Sequence, residues 1–398
     1  MGHWVSTHVE VLVIGGGIHG VGVAQAAAAA GYQTLIVEKT DWAAGTSSKS
    51  SKLIHGGLRY LQTFQFKLVR ESLRERGLLL KLAPELVHPI KFYIPIYDHS
   101  TYRPWQIRAG LTLYSLLSGL KPLSRFRKLN RDEWRSLAGL RQQGLQAVYC
   151  YWDGQTNDRL LTQAVKNSAV DMGAQAWCPA EVTAVVKVEN GYHVRLNHKQ
   201  QVREITADLV VNAAGPWVNH LLDNVRPSPQ RFDVDLVAGS HLVLKGQVAD
   251  FIYYLEAPQD QRAIFVMPWG EGDTLLGTTE VKFQGEPEEL RCSPQEEGYL
   301  LGVLQHYFPG FSAEVIGRQA GLRVLPRTNK RAFFAPRETV YAYDNKGNPK
   351  LISIYGGKLT GYRATAEHVM KVVRKSLGRR ARLARTDQLS LKADGTEL

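Results

Sequence analysis

The order of apolar and polar positions along the chain predicts alternating strands and helices. Residues 9–14 are valine, leucine and isoleucine broken by one glutamate, which is typical of a buried strand. A glycine cluster follows, then small apolar residues at 21–30 that suit a helix, and a second apolar run at 34–38. Strand, helix and strand in this order predict a parallel βαβ unit at the start of the chain.

Apolar periodicity predicts further elements along the rest of the chain. Residues 66–82 have leucines on one side and charged residues on the other, as an amphipathic helix does. The same reasoning predicts helices at 107–120, 158–173, 294–307 and 364–377, and strands at 182–188, 192–196, 209–212 and 352–355. Between 226 and 322, short runs alternate polar and apolar positions, which is typical of an antiparallel sheet.

These elements predict an α/β fold with a discontinuous Rossmann-like domain that binds a dinucleotide and an antiparallel-sheet domain that binds substrate. At 398 residues the chain is long for one hydrophobic core, so two interleaved domains are expected. The predicted boundaries are 1–86, 141–225 and 323–378 for the dinucleotide-binding domain, 87–140 for a helical insertion, 226–322 for the substrate-binding domain and 379–398 for a basic tail.

The glycine cluster after the first strand has the spacing of a dinucleotide-binding loop. Gly15, Gly17 and Gly20 form a Gly-x-Gly-x-x-Gly pattern between strand and helix. The first glycine permits a tight turn, the second lets the backbone approach a pyrophosphate, and the third lets helix and strand pack closely. Glu38 ends the second strand, where a carboxylate accepts from a ribose hydroxyl and repels the 2′-phosphate of NADP. FAD or NAD is therefore expected, with a plain tight turn as the alternative.

Two later strands favour FAD over NAD. The strand at 209–212 ends in Ala-Ala-Gly, and the strand at 352–355 ends in Gly-Gly. Glycines at strand ends allow a ligand to approach the backbone closely. Three such strands, spread over most of the chain, suggest that a discontinuous domain holds one long ligand rather than two nucleotides.

The formal charge of the chain is +12, and basic residues are concentrated near the C-terminus. Residues 371–385 include seven lysines and arginines and no acid. A solvated, partly disordered tail is the simplest interpretation. Attraction to an anionic membrane surface or to nucleic acid is the alternative, and charge alone does not choose between them. Because no aromatic-rich basic platform accompanies the charge, no nucleic-acid partner is expected.

Cysteine usage and hydropathy restrict the compartment. Cys150, Cys178 and Cys292 are far apart and form no Cys-x-x-Cys pair, so neither a disulfide framework nor a metal site is expected. No apolar run reaches the roughly 18–20 residues that span a bilayer, and no leader is expected because Glu10 and a glycine cluster interrupt the first apolar run. We therefore expect a cytoplasmic protein, either soluble or peripheral on the inner face of the plasma membrane.

The predicted helix at 107–120 bears on that choice. It is apolar on most sides, and arginines and lysines flank it on both ends. A helix buried against its own domain is the first interpretation. A helix that lies in the membrane interface, with its cations among the lipid head groups, is the second.

Six segments, in order along the chain, resemble the FAD-dependent glycerol-3-phosphate dehydrogenase family. They are VLVIGGGIHG, TSSKSSKLIHGGLRYL, VVNAAGPWV, VAGSHLVL, FVMPWGEGDTLLGTTE and IYGGKLTGYRATAEH. The family lies within a wider group of flavoproteins that includes D-amino-acid and sarcosine oxidases. The SSKLIHGGLRYL and GGKLT-x-YR pieces are specific to the dehydrogenase family. The resemblance implies that the dinucleotide is FAD; noncovalent binding is expected because no His or Cys stands at an obvious attachment point.

The sequence departs from the family pattern in two places. Members commonly carry a further C-terminal helical domain, which is expected to be absent because the sequence stops at Leu398. The family's GVRPL segment appears here as GLRVLPR at 321–327, so the arginine is kept and the proline is displaced. The first departure bears on the oligomeric state, which is not assigned, and on the electron acceptor. The second bears on the substrate.

The resemblance also implies a reaction. It is the oxidation of sn-glycerol 3-phosphate to dihydroxyacetone phosphate by hydride transfer to flavin N5, with electrons passed to a membrane quinone. Alternatives that share the flavin are an oxygen-using glycerol-3-phosphate oxidase, an oxidase of another 2-hydroxy acid or amine, and a basic RNA-modifying flavoprotein. A homologue without catalytic activity is a further alternative.

A phosphorylated substrate needs cations that hold its phosphate, and arginine can do so with two parallel hydrogen bonds. Arg59, which follows His-Gly-Gly-Leu, and Arg323 are the candidates, and by resemblance both line the substrate pocket. Tyr60 and Thr360 are candidates for hydrogen bonds to substrate or flavin. A surface salt bridge is the alternative for each arginine, and simple packing is the alternative for Tyr60 and Thr360.

Oxidation of an alcohol also requires a base that accepts the hydroxyl proton. His241, at the head of a strand, is the first candidate because histidine titrates near neutrality, and His55 is its rival. Lys358, after Gly-Gly, is expected to stabilise negative charge on the reduced flavin, and Arg323 is grouped with these catalytic residues. The alternatives are a structural histidine and a lysine packed on a helix N-terminus. His19, inside the glycine loop, is expected to face solvent.

The expected FAD contacts lie at the glycine-ended strands and in the serine-rich segment 46–57. Thr46, Ser47 and Ser48 are expected to serve the FAD phosphates and ring, and Lys52 to add positive charge. The glycines at 56 and 57 are expected to let the chain pass under the flavin. The full set is Gly15, Gly17, Ile18, Gly20, Glu38, Thr46, Ser47, Ser48, Lys52, Leu53, His55, Gly56, Gly57, Val182, Ala214, Gly215, Trp217, Gly357, Lys358, Leu359 and Thr360.

Overall fold

A computed structural model describes residues 7–137, 139–327 and 338–393. The outermost parts of the predicted first segment (1–6) and of the predicted tail (394–398) lie outside the described residues. The helices are α1 (Ile18–Ala29), α2 (Phe66–Leu82), α3 (Pro104–Leu117), α4 (Asp158–Asp171), α5 (Val218–Asp223), α6 (Pro294–Tyr307) and α7 (Tyr362–Leu377). The strands are β1 (Thr7–Ile14), β2 (Thr34–Val37), β3 (Leu53–Ile54), β4 (Val87–Tyr97), β5 (Arg127–Lys128), β6 (Leu145–Thr156), β7 (Gln175–Trp177), β8 (Ala180–Val188), β9 (Gly191–His198), β10 (Gln201–Asn212), β11 (Val225–Arg226), β12 (Val234–Leu244), β13 (Ile252–Glu256), β14 (Ala263–Trp269), β15 (Asp273–Gly277), β16 (Val281–Phe283), β17 (Val315–Pro326), β18 (Val340–Tyr343) and β19 (Leu351–Tyr355).

The first sheet has a parallel part and an antiparallel part. Its strands follow the order β11-β8-β9-β10-β1-β2-β7, and β19 pairs with β10 and with β18. β19, β10, β1, β2 and β7 are joined by parallel pairing, whereas β8, β9 and β10 form an antiparallel meander. Because parallel strands end at the same edge, the loops after β1, β2, β10 and β19 lie together. Such an edge is where α/β sheets bind ligands.

The second sheet is mostly antiparallel. Among the described residues its order is β16-β12-β15-β14-β13-β4-β6-β3, with β17 paired to β12 and β5 paired to β6. β12 and β17 pair along almost their whole lengths, with a register shift near Val243. α6 packs against β12, β14 and β15. Together the two sheets confirm the predicted class, an α/β fold with a Rossmann-like part and an antiparallel sheet.

Several strands of the second sheet were not predicted, among them β4 and β6. β4 lies in the segment expected to be a helical insertion, and β6, at 145–156, pairs with β4 although it was assigned to the first domain. Pro89 and Pro95 interrupt β4, and proline within an apolar run argues against a central strand, so the sequence pattern did not show it. The division of the chain into domains stays a prediction, but these two segments belong to the second sheet.

α1 is buried on almost every side, which explains its composition. It packs against α4 and α7, and 11 of its 12 residues are buried. Alanine and glycine allow this because they leave room for neighbouring helices to approach closely. At Gly22, for example, a Cβ atom would lie only 2.6 Å from the Tyr362 ring of α7.

A buried ion pair ties α7 to α2. Arg363 donates from Nε and Nη2 to the two carboxylate oxygens of Glu75, at 2.7 and 2.6 Å. Both side chains are almost completely buried. Arg363 also pairs with Glu367, four residues further along α7. A two-pronged contact of this kind holds the helices in one register.

The segment after α7 is largely exposed, as expected of a solvated tail, but hydrogen bonds hold it on the protein. We call residues 378–391 the C-terminal arm. The backbone N–H groups of Leu383 and Ala384 donate to the Ala29 carbonyl at the end of α1. Further along, the Leu391 N–H donates to the Leu82 carbonyl and the Leu391 side chain joins the core. Backbone contacts, which composition does not predict, order this segment.

α3 has a buried side and an exposed apolar side. Leu111 and Tyr114 are buried, whereas Trp105 is 70% exposed and Leu116 is 56% exposed. Phe64, on a turn that packs beside α2 and α3, is 78% exposed. Among the described residues, no helix combines the length and the apolar character needed to cross a bilayer.

Candidate active site

The glycine loop between β1 and α1 has no room for larger residues. Gly15 has a φ of +116°, and a Cβ atom there would lie 2.5 Å from the Ala213 carbonyl oxygen. A Cβ atom at Gly20 would press directly on the Gly15 carbonyl oxygen. α1 begins after Gly17, which has no side chain to cap the helix, and its first turn contains no acid. The loop therefore presents backbone and the positive end of a helix dipole to a ligand.

Two predicted polar contacts border this loop. The Glu38 carboxylate accepts hydrogen bonds from Gly16 N at 2.7 Å and Thr40 N at 2.8 Å, which fixes its position at the end of β2. Ser47 Oγ accepts from Ile18 N, in the first turn of α1, at 2.9 Å. Glu38 and Ser47 thus hydrogen-bond to the backbone of the glycine loop and of the first turn of α1.

The remaining residues of the serine segment have other contacts. The Thr46 hydroxyl donates to the Leu322 carbonyl at 2.7 Å, and Ser48 Oγ lies 3.4 Å from the Gly45 carbonyl. Lys52 is buried, and its ammonium group donates to Asp158 Oδ1 at 2.6 Å. The charge expected at the FAD phosphates is therefore paired with a carboxylate at the start of α4. Asp158 was not predicted, because it follows Lys52 by 106 residues.

The loop after β10, which ends in Ala-Ala-Gly, approaches the glycine loop. Ala213 lies against Gly15, Ala214 N donates to Asn212 Oδ1, and Gly215 has a φ of +54°. Val182 is buried on β8, where the pairing with β9 shifts register.

Trp217 was expected to contact FAD, and in the structure it links the two sheets. Its Nε1 donates to Glu288 Oε1 at 2.7 Å, and Lys39 Nζ lies at 2.7 Å from the same oxygen. Lys39 Nζ is also 4.9 Å from the centre of the indole ring. Trp217 and Lys39 follow strands of the first sheet, whereas Glu288 follows a strand of the second. We call these three residues the Trp217 link.

A buried polar network supports the His-Gly-Gly turn. The Tyr114 hydroxyl accepts a hydrogen bond from Gly56 N at 2.8 Å and donates to Asp153 Oδ2 at 2.7 Å. Arg76 donates to the other oxygen of Asp153 at 2.5 Å. A Cβ atom at Gly56 would overlap the Tyr114 hydroxyl, and Gly57 has a φ of +77°. Both glycines are therefore required by the backbone and its surroundings.

The structure brings the two family-specific segments together. His55 N donates to Thr360 Oγ1 at 3.2 Å, so the turn at 55–57 meets the segment after β19. Lys358 Nζ lies 3.6 Å from the centre of the Tyr60 ring, a cation–π contact across the same junction. Leu53 is buried on β3, and Leu359 opens the short turn that leads into α7. Burial lowers the pKa of His55 to about 4.

His19 is a neighbour of the site that the sequence did not reveal. It was expected to face solvent, but a Cβ atom at Gly357 would press on its Nε2, and Gly357 has a φ of +98°. Burial lowers the pKa of His19 to about 4. His19 Nδ1 is buried and has no hydrogen-bond partner among the described residues. The glycine at 357 thus makes room for the His19 side chain.

The two predicted arginines reach the same short segment, residues 278–280. Arg323, on β17, donates to Thr278 Oγ1 at 3.1 Å and to the Thr279 carbonyl at 3.4 Å. Arg59 Nη2 lies 3.8 Å from Glu280 Oε2. Although 264 positions separate the arginines in sequence, both side chains therefore border one surface. The contacts of the two arginines with residues 278–280 were not predicted from the sequence, although these residues lie in GTTE, which ends one of the family-like segments.

His241 lies beside this segment and is 1% exposed. It pairs with Gly277 across β12 and β15, and its Cγ would be 2.8 Å from a Cβ atom at Gly277. Its Nε2 lies 3.1 Å from Ser51 Oγ. Burial, with the charges of Arg323 and Lys52, lowers the pKa of His241 to about 3. The imidazole is therefore neutral at pH 7.

Three comparisons relate this geometry to known proteins. The family model of FAD dependent oxidoreductases (DAO) matches residues 10–363. A glycerol-3-phosphate dehydrogenase from Synechocystis sp. is 36% identical over 398 residues, which cover 94% of this chain and 72% of the relative. A D-erythritol 1-phosphate dehydrogenase from Brucella abortus is 35% identical over 371 residues, covering 91% of this chain and 72% of the relative.

A solved structure shows the same relationship. The glycerol-3-phosphate dehydrogenase from Bacillus halodurans complexed with FAD superposes with a TM-score of 0.74 at 29% identity. The match covers 98% of this chain and 69% of that one. The folds therefore agree over nearly the whole chain, including both sheets.

Proposed function

Because the chain belongs to the FAD-dependent oxidoreductase family, we propose that it oxidises sn-glycerol 3-phosphate to dihydroxyacetone phosphate and passes the electrons to a membrane quinone. The observation that supports this substrate is the convergence of Arg59 and Arg323 on residues 278–280, beside the neutral His241. A phosphate needs such cations, and a secondary alcohol needs such a base.

FAD, the cofactor of the family, fits the residues at the edge of the first sheet. The pyrophosphate would lie at the glycine loop and the N-terminus of α1, where Gly15 and Gly20 keep the loop in a shape that a Cβ atom would disturb by pressing on the neighbouring backbone. Ser47 would add a hydroxyl at the same place, and Glu38 would accept from a ribose hydroxyl. When bound, FAD supplies an acceptor for the hydride and its two electrons.

The two arginines would hold the substrate phosphate and leave the carbinol end free to reach the base. Each guanidinium carries donors in a planar fork that matches phosphate oxygens. Thr278 and Thr279 hold the Arg323 fork in place, and Glu280 lies opposite Arg59. A bound phosphate would compete with Glu280 for Arg59, since that ion pair is long at 3.8 Å.

His241 would take the proton from the substrate hydroxyl oxygen while the hydride leaves the carbon that bears this hydroxyl. Its neutral ring provides an acceptor nitrogen, and Ser51 lies within hydrogen-bond distance of Nε2. His55 is the rival base, with a pKa that burial also lowers. Lys358, near Tyr60, would place a positive charge beside the reacting centre.

Anaerobic bleaching of the flavin tests this assignment. Glycerol 3-phosphate should bleach the visible flavin absorbance of the wild-type enzyme. Arg59→Ala should require a much higher substrate concentration, whereas His241→Ala should slow bleaching at saturation. Bleaching that neither substitution changes would contradict the site. Slow bleaching by His55→Ala but not by His241→Ala would reassign the base.

A longer polyol phosphate is the second candidate substrate. The relative from Brucella abortus is named for D-erythritol 1-phosphate and is about as similar to this chain as the glycerol-3-phosphate dehydrogenase from Synechocystis. Both compounds present a phosphate to the arginines and a secondary alcohol to the base. A higher kcat/KM for D-erythritol 1-phosphate than for glycerol 3-phosphate would favour this candidate.

The exposed apolar side chains support a membrane acceptor. Phe64, Trp105 and Leu116 lie on elements that pack together, and α3 carries arginines near its start. Apolar residues accompanied by cations are typical of peripheral membrane contacts. Stopped-flow reoxidation of the reduced enzyme tests the acceptor: a quinone analogue should reoxidise it quickly and air slowly. Fast reoxidation by air would favour an oxidase instead.

A further inference from the structure

The C-terminal arm is fixed on the end of α1, so its arginines have defined positions. Gly31 follows α1 with a φ of +89°, and a Cβ atom there would press on the Ala381 carbonyl oxygen of the arm. The Tyr32 hydroxyl donates to the Gly378 carbonyl at 2.5 Å. Together with the hydrogen bonds to Ala29, these contacts hold the arm at both ends of residues 378–384.

Basic side chains from α7 and the arm line two neighbouring cavities. The first, of about 180 Å³, is lined by Ala30 and by Arg374, Arg379, Arg380 and Arg382. The second, of about 310 Å³, is lined by Lys371, Arg374, Lys375 and Arg379. The cavities share Arg374 and Arg379, so they form one continuous basic groove.

Little negative charge compensates this groove. Glu10 pairs with Arg380 at 2.7 Å, and no acid is among the residues that line either cavity. Like charges held close together raise the energy of the structure, and an anion placed between them lowers it. The first cavity is small beside the roughly 300–1,000 Å³ typical of sites for larger organic ligands, and the second lies at the lower end of that range. At about 30 Å³ per water, the first would hold a phosphate-sized group.

We propose that this groove binds an anion with two linked phosphate groups, one in each cavity. The groove lies at the C-terminal end of α1, whereas the glycine loop lies at its N-terminal end. At about 1.5 Å per residue, the 12 residues of α1 separate the two by about 18 Å. The site is therefore distinct from the site proposed for FAD and substrate and does not depend on that proposal.

Two sources can supply this chemistry: a free diphosphate and the head group of a lipid with two phosphates. Calorimetric titration of the FAD-loaded enzyme with inorganic pyrophosphate tests the shared chemistry, because the loaded cofactor occupies the other pyrophosphate site. One pyrophosphate should bind per chain. Arg374→Gln with Arg379→Gln should weaken binding at least about tenfold, since both arginines line both cavities.

Matched variants locate the site. Arg203→Gln with Lys245→Gln removes the same charge from exposed positions elsewhere and should leave binding unchanged. Arg59→Gln should also bind pyrophosphate normally, since the proposed phosphate clamp is not involved. Equal weakening in the Arg203 and Lys245 variant would overturn the proposal, as would loss of binding in Arg59→Gln or a wild-type enzyme that does not bind.

Vesicles identify the source. Phosphatidylcholine vesicles containing cardiolipin, a lipid with two phosphates, are compared with vesicles of phosphatidylcholine alone. A lipid ligand is assigned if three results agree. The enzyme should cosediment only with vesicles that contain cardiolipin, pyrophosphate should displace it, and the Arg374→Gln, Arg379→Gln variant should not cosediment. Pyrophosphate binding without vesicle binding assigns a free diphosphate. If the Arg374→Gln, Arg379→Gln variant cosediments as fully as the wild type, the groove is not the lipid site.

Discussion

At the scale of single residues, burial decides the protonation of the histidines around the site. It lowers the pKa of His19 and His55 to about 4 and that of His241 to about 3. All three imidazoles are therefore neutral at pH 7. His55 and His241 were candidates on residue type alone, but the depth of a side chain depends on neighbours far away in sequence. For the same reason the sequence placed His19 in solvent.

The His241 environment predicts a loss of stability in mild acid. Its pKa is lower in the folded chain than the ordinary value near 6.5, so the unfolded chain binds the proton more tightly. The contribution of the neutral His241 to the free energy of unfolding is complete above pH 6.5, and it is lost as the pH falls towards 3. Between pH 7 and pH 5, His241 should cost about 2 kcal/mol of unfolding free energy.

Urea unfolding at the two pH values measures this cost. His241→Asn should lose about 2 kcal/mol less than the wild type between pH 7 and pH 5, because asparagine does not titrate. His19 and His55 remain in both proteins and contribute in the same direction. An equal loss in the two proteins would mean that His241 is not held neutral in the folded state.

Arg323 should bind the substrate phosphate through the paired N–H donors of its guanidinium group and not only through its charge. Arg323→Lys keeps the positive charge but removes the paired donors that face Thr278 and a substrate phosphate. Losing one charged hydrogen bond of about 1.5–3 kcal/mol should lower kcat/KM for glycerol 3-phosphate by about 10–150-fold, mainly through KM. Steady-state kinetics with the quinone analogue measure this effect.

Arg318→Lys is the matched control, because Arg318 lies on the same strand and pairs at the surface with Glu297. It should leave KM unchanged. A KM that rises equally in both variants would point to a change in β17 as a whole rather than to a lost phosphate contact.

At the scale of elements, the sequence predicted regular structure better than the contacts between segments. The helices at 66–82 and 294–307 have the predicted bounds, because a long amphipathic or capped run depends on local residues. β4 was missed because prolines interrupt it. The partners of Lys52 and Gly56 were missed because they lie 106 and 58 positions away. Local patterns do not encode such distances.

The packing of α1 on the glycine loop predicts the effect of one methyl group. Gly20→Ala would place a Cβ atom against the Gly15 carbonyl oxygen, and the backbone cannot move away without opening the loop. We expect a loss of about 1–3 kcal/mol of stability and a marked loss of bound FAD. Thermal unfolding and the ratio of flavin to protein absorbance measure both.

Gly110→Ala provides the matched control on α3. No atom lies within 4 Å of a Cβ atom at Gly110, so the substitution should stabilise its helix by up to about 1 kcal/mol. Its FAD content should stay normal. If Gly20→Ala also retained its FAD, the close approach of helix and strand would not be required for cofactor binding.

At the scale of the whole molecule, the family, the fold class and FAD as cofactor were predicted from the sequence and are confirmed. They could be predicted because the glycine-ended strands and the two family-specific segments extend over most of the chain. The docking of the C-terminal arm could not, since it depends on backbone hydrogen bonds to Ala29 and Leu82. The roles of the site residues and the quinone acceptor stay predictions.

The ion pair between Arg363 and Glu75 should contribute to the stability of the whole molecule. Arg363→Met would leave the Glu75 carboxylate buried without its partner, which typically costs about 3–5 kcal/mol. Adding Glu75→Gln should recover a large part of this loss. Denaturant unfolding of the single and double variants, with the exposed Arg74→Met as control, measures the coupling. If the Arg363→Met, Glu75→Gln variant is as unstable as Arg363→Met alone, the two side chains are not coupled in this way.

The Trp217 link gives the enzyme an internal optical reporter. Because the indole N–H of Trp217 is held by Glu288 across the two sheets, its emission depends on whether that contact persists. The chain has eight tryptophans, so the difference spectrum between wild type and Trp217→Phe isolates this one. If substrate binding separates the sheets at this point, the indole meets water and the isolated emission shifts to the red. Fluorescence could then follow opening and closing of the site in real time without an attached dye.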